Sequence, residues 1–341
     1  MSEHPSMGAS GCPMSTPGDG GGPRHRRLLG LWRNPSVRRE IAALDAERDC
    51  QRIVHLLTAY EFPADIQRAT ELALFHTYGS VSISALLDRT GKFSKLGQKR
   101  YDDTRLLIAQ FMESGWASDA GQRSIEQMNH IHAHYRIDNE DFLFVLWTFI
   151  DFPMRWIDRF GWRRFTTHER QAWFHYWVEI GRRMRLQHIP ASRADFDAFV
   201  QDYEARKLRH APANERVAQA TMAIMAAWLP EPLRGAVAPA VRTLVPARLL
   251  PAIGMQMPSP ILKASVHLAL KLRALAKRWL PWEAYPTLLA QTRNRTYPGQ
   301  CYRIEELGPP FAHRPLADGQ APDNAQGELE GQAQPQAKRV G

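Results

Sequence analysis

Cysteine is scarce in this chain. The three present, Cys12, Cys50 and Cys301, lie far apart among 341 residues. There is no Cys-x-x-Cys and no disulfide framework, which fits a reducing cytosol. Long apolar runs are also missing. The most apolar stretch, residues 221–258, is cut by Pro230, Pro232, Pro239, Pro246 and Pro251. Nothing therefore approaches the ~18–20 uninterrupted apolar residues of a membrane-spanning helix. The N-terminus lacks an apolar core followed by a small-residue cleavage site, so it does not read as a secretory signal. Zinc-finger spacing, a Gly-rich phosphate loop and an aromatic–basic RNA motif are all absent. The net charge of +9 is thus read as a basic solvated surface, without a nucleic-acid partner. Contact with an anionic membrane surface stays open.

What is present is helical patterning. Hydrophobic residues make up 44% of the chain, enough for a buried core, and 10 Trp and 14 Phe make that core aromatic. Alternating strand patterns do not occur, so the fold class is all-α. Helices are expected over 45–60, over 65–78 after Pro63, over 82–87, and from near Gln98 to Met112 before Gly115. A further helix begins at Ser118 or Asp119 and runs through His132. Asn139 opens another, with Glu140 and Asp141 in its first turn, favourable to the helix dipole. Its run from Phe142 to Phe152 is apolar nearly all round, and Pro153 is expected to kink or end it. Thr166-x-x-Glu169 is a capping box for a helix to about Arg185. Ser192-x-x-Asp195 starts one more. Residues 1–27 are Gly-, Pro- and Ser-rich and read as a disordered leader. Residues 313–341 read as a disordered tail. Residues 28–312 are expected to form a single helical domain.

Three histidines alternate in the Met128–Ile137 segment, at 130, 132 and 134. On a helix His130 and His134 share a face, and His132 points about 160° away. A neutral imidazole is a common metal ligand. An ordinary core histidine, hydrogen-bonded to a carbonyl, fits the same spacing.

The order of motifs around this segment resembles the rubber oxygenase (latex clearing protein) / MpaB-type oxygenase family. Ile131-His132-Ala133-His134-Tyr135-Arg136-Ile137 falls on the family's Leu-His-Ala-Arg-Val-Arg-Gly frame. Arg100-Tyr101-Asp102-Asp103-Thr104 falls on its Arg-x-x-Lys/Arg-Thr motif, with Asp103 where relatives carry a cation. Phe160-Gly161-Trp162-Arg163-Arg164-Phe165 and Ile189-Pro190 also fit, and the resemblance spans roughly residues 40 to 310.

The resemblance implies a globin-like helical core with additional flanking helices and a haem b-dependent oxygenase. It makes His132 the iron ligand, with Arg100 and Thr104, four apart on one helix face, on the dioxygen side. Arg100 can alternatively pair with a haem propionate. The implied partners are dioxygen and an apolar, isoprenoid-type or polyprenoid substrate; oligomeric state is not implied. The alternative is a non-catalytic haem- or lipid-binding helical protein. Localisation is expected to be cytoplasmic, with a peripheral membrane contact left open. Asp103 cannot copy a lysine's nitrogen; it is expected to accept from Arg100 or stay solvated.

Other residues carry weaker signals. His76 and Tyr78 fit a pocket wall or an ordinary helix end. His168, His175 and Glu179 share a face that fits a metal site or a solvated surface. Arg163, Arg164, Arg182, Arg183 and Arg185 form a basic cluster without an assigned ligand. Cys301 has no motif for a thiolate ligand. The segment from Ile261 to Leu280, with Lys263, Lys271, Arg273, Lys277 and Arg278, can lie on a membrane, although its sequence has no clean amphipathic split.

Overall fold

A computed structural model of the chain describes residues 36–279, 286–292, 294–297 and 301–310, without the side chains of 92–95. The expected leader and the expected tail lie outside these residues. The order is α1 (Ser36–Ala43), α2 (Cys50–Leu56), α3 (Pro63–Thr77), α4 (Val81–Arg89), α5 (Lys92–Glu113), α6 (Asp119–Ala133) and α7 (Asn139–Phe160). Then follow α8 (Thr167–Arg183), α9 (Arg193–Lys207), α10 (Pro212–Ala227), α11 (Val237–Leu244), α12 (Leu249–Ala252) and α13 (Pro260–Trp279). The fold is all-α. Among the described residues the only strand-like pairing is one isolated bridge, Ser80 with Leu208.

The central packing pair is α3 against α7, with α2 against α8 and α5 against α6 beside it. Local chemistry sets several boundaries. Ser118 accepts from Gly121 N at the start of α6. Thr166 and Glu169 form both bonds of the capping box that opens α8. The first expected helix is shorter than its pattern: α2 begins at Cys50 and ends in a π-turn, Leu57–Glu61.

The largest departure is at Pro153. The helix neither ends nor breaks there; α7 continues to Phe160. Proline removes the N–H that would bond the carbonyl of Phe149, one turn back. Trp173 Nε1, from α8, donates to that carbonyl instead at 3.1 Å. A tertiary donor thus replaces the lost helical bond. The apolar girdle of α7 also finds its explanation. Phe144, Trp147 and Ile150 are buried in the core, whereas Phe142, Val145 and Phe149 face a cavity.

Candidate functional site

That cavity measures about 990 Å³ and is walled mainly by apolar side chains. It lies at the upper end of the size range of small-molecule sites, ~300–1,000 Å³. Its walls come from α3, α4, α5, the end of α6, α7, α8 and α10. The structure places Arg100, Thr104 and His132 on this one lining, although α5 and α6 are joined through Gly115.

His132 occupies the last turn of α6, which ends at Ala133. Its ring packs edge-on against Phe142, centroids 5.1 Å apart. It is half-buried and lines the cavity. Burial first, and the charge of Arg100 second, push its pKa down to about 4. It is a neutral imidazole at any physiological pH. Nδ1 is buried and has no hydrogen-bond partner among the described residues. An unsatisfied buried polar atom costs ~1–3 kcal/mol. His130 and His134 share the other face, as helical spacing requires. Their centroids are 4.8 Å apart, and His134 Nδ1 lies 2.8 Å from the carbonyl of His130.

Arg100 is withdrawn from solvent, and burial lowers its pKa; Tyr78, Tyr135 and Asp103 oppose that shift. It remains a cation, because a guanidinium does not deprotonate in proteins. Tyr78 and Tyr135 line the cavity too, and burial raises both phenols.

Asp103 behaves differently from its expectation. It is buried, and its oxygens accept from Lys99 Nζ at 2.7 Å and from Tyr297 OH. Lys99 sits one turn before Asp103 and also donates to the carbonyl of Gly308 at 3.0 Å. The carboxylate at 103 is thus paired with a lysine one turn earlier in α5. Tyr297 and Gly308 are tied to α5, and Ile304–Glu306 packs along α6. Gln127 Nε2 donates to the carbonyl of Leu307 at 2.8 Å. Gly308 adopts φ +114°, and a Cβ there would lie 2.6 Å from Ile131 Cδ1. Only glycine gives this close approach.

A second polar patch on the wall had no sequence signal. Glu71 accepts from Tyr101 OH at 2.5 Å and pairs with Arg68 at 2.8 Å. Burial raises the pKa of Glu71 despite these partners. Glu71 and Tyr101 are 30 residues apart, so only the tertiary fold brings them together.

The remaining candidates fall elsewhere. His76 does not line the cavity. It is enclosed by Phe144, Trp147 and Phe152, with Nε2 2.9 Å from Glu204 Oε1. No metal-binding group of three or more His, Cys, Asp or Glu occurs among the described residues, which removes the His168/His175/Glu179 reading. The basic cluster is split. Arg163 is clamped by Glu61 and Glu169, and Arg182 and Arg183 pair with Glu179. Cys301 does not line the cavity, so it is not placed there as a thiolate ligand.

Comparison with known proteins gives a consistent answer. The family described as "ER-bound oxygenase mpaB/B'/Rubber oxygenase, catalytic domain" matches residues 80–278. The ER-bound oxygenase mpaB' of Penicillium brevicompactum is 29% identical over 260 residues, 71% of this chain and 62% of the relative. The ER-bound oxygenase mpaB of the same species is 30% identical, covering 55% of this chain and 52% of the relative. That of Penicillium roqueforti (strain FM164) is 29% identical, covering 61% and 76%. The chain thus spans under two thirds of the length of the first two. The closed-state structure of latex clearing protein LCP aligns with a TM-score of 0.39 at 17% identity, over 77% of this chain and 73% of that one. With more than half its length matched, the chain belongs to the family of ER-bound oxygenase mpaB/B' and rubber oxygenase catalytic domains.

Proposed function

We propose that this protein is a haem b-dependent oxygenase acting with dioxygen on an apolar substrate, and that His132 would hold the iron. The observation that carries the reading is His132 itself. It is a neutral imidazole in the last turn of α6, on the wall of an apolar cavity of about 990 Å³. An imidazole nitrogen is one of the donors that can hold haem iron. The donor, the volume and the apolar walls fit that group.

When bound, haem would supply the activation of dioxygen. The chain's residues supply the surroundings. His132 would hold the iron. Arg100 keeps its charge in a water-poor site and offers N–H donors to developing negative charge or to a propionate. Thr104, one turn along α5, adds a hydroxyl on the same face. Glu71, whose pKa burial raises, accepts from Tyr101 OH on the same wall. Phe142, Val145 and Phe149 exclude water from that space. An extended isoprenoid-type chain suits such walls, and family membership supports that substrate class.

The test is oxygen uptake by haem-loaded protein supplied with polyprenoid substrates. Uptake that requires both haem and substrate is the expected result. Haem binding without uptake favours the second reading, a non-catalytic haem- or lipid-binding protein. The observation behind that reading is Asp103, whose oxygens are engaged by Lys99 and Tyr297.

A further inference from the structure

Helix α13 is apolar on two opposite sides. One side is fixed to the protein. Val266 and Leu270 are half-buried and Ala274 is buried, Arg273 pairs with Asp65, and His267 Nε2 lies 3.1 Å from the carbonyl of Thr243 in α11. The other side faces solvent. Ile261 is 80% exposed, Leu268 58%, Leu272 56%, Leu275 52% and Trp279 69%. At ~100° per residue these five fall within about 40° of one line along the helix, roughly opposite Leu270. Soluble proteins rarely leave so long an apolar stripe uncovered without a use for it. Leu233, in the turn that packs on α11, and Met257, just before α13, are also exposed.

Charge indicates what covers this stripe. From Pro260 to Trp279 the helix has Lys263, Lys271, Arg273, Lys277 and Arg278, and no Asp or Glu. Lys271 and Arg278 are exposed and project about 80–100° from the stripe on one side, where long stems can lie along an apolar surface while the charge reaches out. Arg159 of α7 lies close enough to His267 to add to the depression of its pKa, as do Lys263 and Lys271. An apolar ridge with a basic flank complements a surface that is apolar inside and anionic outside. Pairing two copies through this face would set like charges together. The helix does not cross a bilayer: no described helix is long and apolar enough.

We propose that α13 is an interfacial docking face, binding anionic lipid bilayers with Ile261, Leu268, Leu272, Leu275 and Trp279 in the acyl boundary and Lys271 and Arg278 at the headgroups. The stripe that the sequence does not resolve is plain once the packed side is known, because both sides carry leucine. The proposal is independent of the haem reading.

The experiment is co-sedimentation of the full chain with vesicles of phosphatidylcholine alone or with 30% phosphatidylserine. Binding is expected only with phosphatidylserine and should fall with salt. Removing both charges in Lys271→Gln/Arg278→Gln should weaken binding about 25-fold, from roughly fivefold per basic residue at the surface. Leu268→Gln/Leu272→Gln/Leu275→Gln should abolish it. These side chains are exposed, so unchanged circular dichroism and melting are expected and separate lost binding from lost folding. Equal binding to neutral vesicles, or no effect of either variant, would overturn the proposal. So would a concentration-dependent dimer in light scattering that the triple leucine variant dissolves, since the face would then be a self-interface.

Discussion

Arg163 and Arg100 are both withdrawn from water, yet burial loses at one and wins at the other. Arg163 is held by Glu169 through two bonds of 2.6 and 2.7 Å and by Glu61 at 2.9 Å. It also stacks over Phe62, 4.9 Å from the ring centroid. Its pKa is raised in spite of burial. At Arg100 burial is the larger influence and the pKa falls. The neighbour that feels Arg100, His132, is driven neutral. The first region matches its charges and does not line this cavity; it joins the π-turn, the Trp162 loop and the start of α8. The second faces the cavity. Perturbed groups that face a cavity mark functional sites more often than matched ones do.

Deleting the matched cation should have the largest effect. Arg163→Met leaves Glu61 and Glu169 buried without their partner, and loss of one member of a buried pair costs ~3–5 kcal/mol. Thermal unfolding should shift sharply downward. A shift as small as that of a surface variant would show that water reaches these carboxylates.

Arg100→Ala should do the converse, leaving haem content intact and lowering the oxygenase rate by a factor on the order of 10 to 1,000. Loss of haem from an otherwise folded protein would make Arg100 a propionate partner. An unchanged rate would remove it from the site.

His132 gives the comparison a pH axis. Its native pKa is about 4 against an ordinary 6.5, so the unfolded chain takes up the proton first. Stability of the haem-free protein should therefore fall as pH drops below about 6.5, the loss being complete below about 4. The size is up to ~3 kcal/mol. Urea melts at pH 7 and 4.5 should show a wild-type loss that His132→Leu lacks. Equal losses would mean that His132 is in contact with bulk water. The smallest effect is expected at Arg182, whose exposed pair with Glu179 spans 3.5 Å; Arg182→Ala should cost below ~1 kcal/mol.

Features governed by near neighbours were legible in the sequence. The capping box, the Ser118 start of α6 and the shared face of His130 and His134 all follow from spacing of three or four residues. Pro153 was not, because the donor that rescues α7 comes from Trp173, 20 residues on. The Glu71–Tyr101 patch and the Asp103–Tyr297 bond depend on the tertiary fold and had no local signal. Lys99 did have one: it stands four residues before Asp103, the spacing of a helical ion pair. His76 and Tyr78 fitted a pocket wall or an ordinary helix end, and the fold divides them: Tyr78 lines the cavity, while His76 sits at the end of α3 inside the core.

The central claim is that His132, and neither of its flanking histidines, holds haem iron. The most direct measurement is the absorption spectrum and iron content of the purified protein after haem loading, for the wild type, His132→Ala, His130→Ala and His134→Ala. A Soret band with iron near one per chain is expected in all but His132→Ala, which should lose both. Haem retained by His132→Ala and lost by His134→Ala would contradict it and place the ligand on the other face of α6.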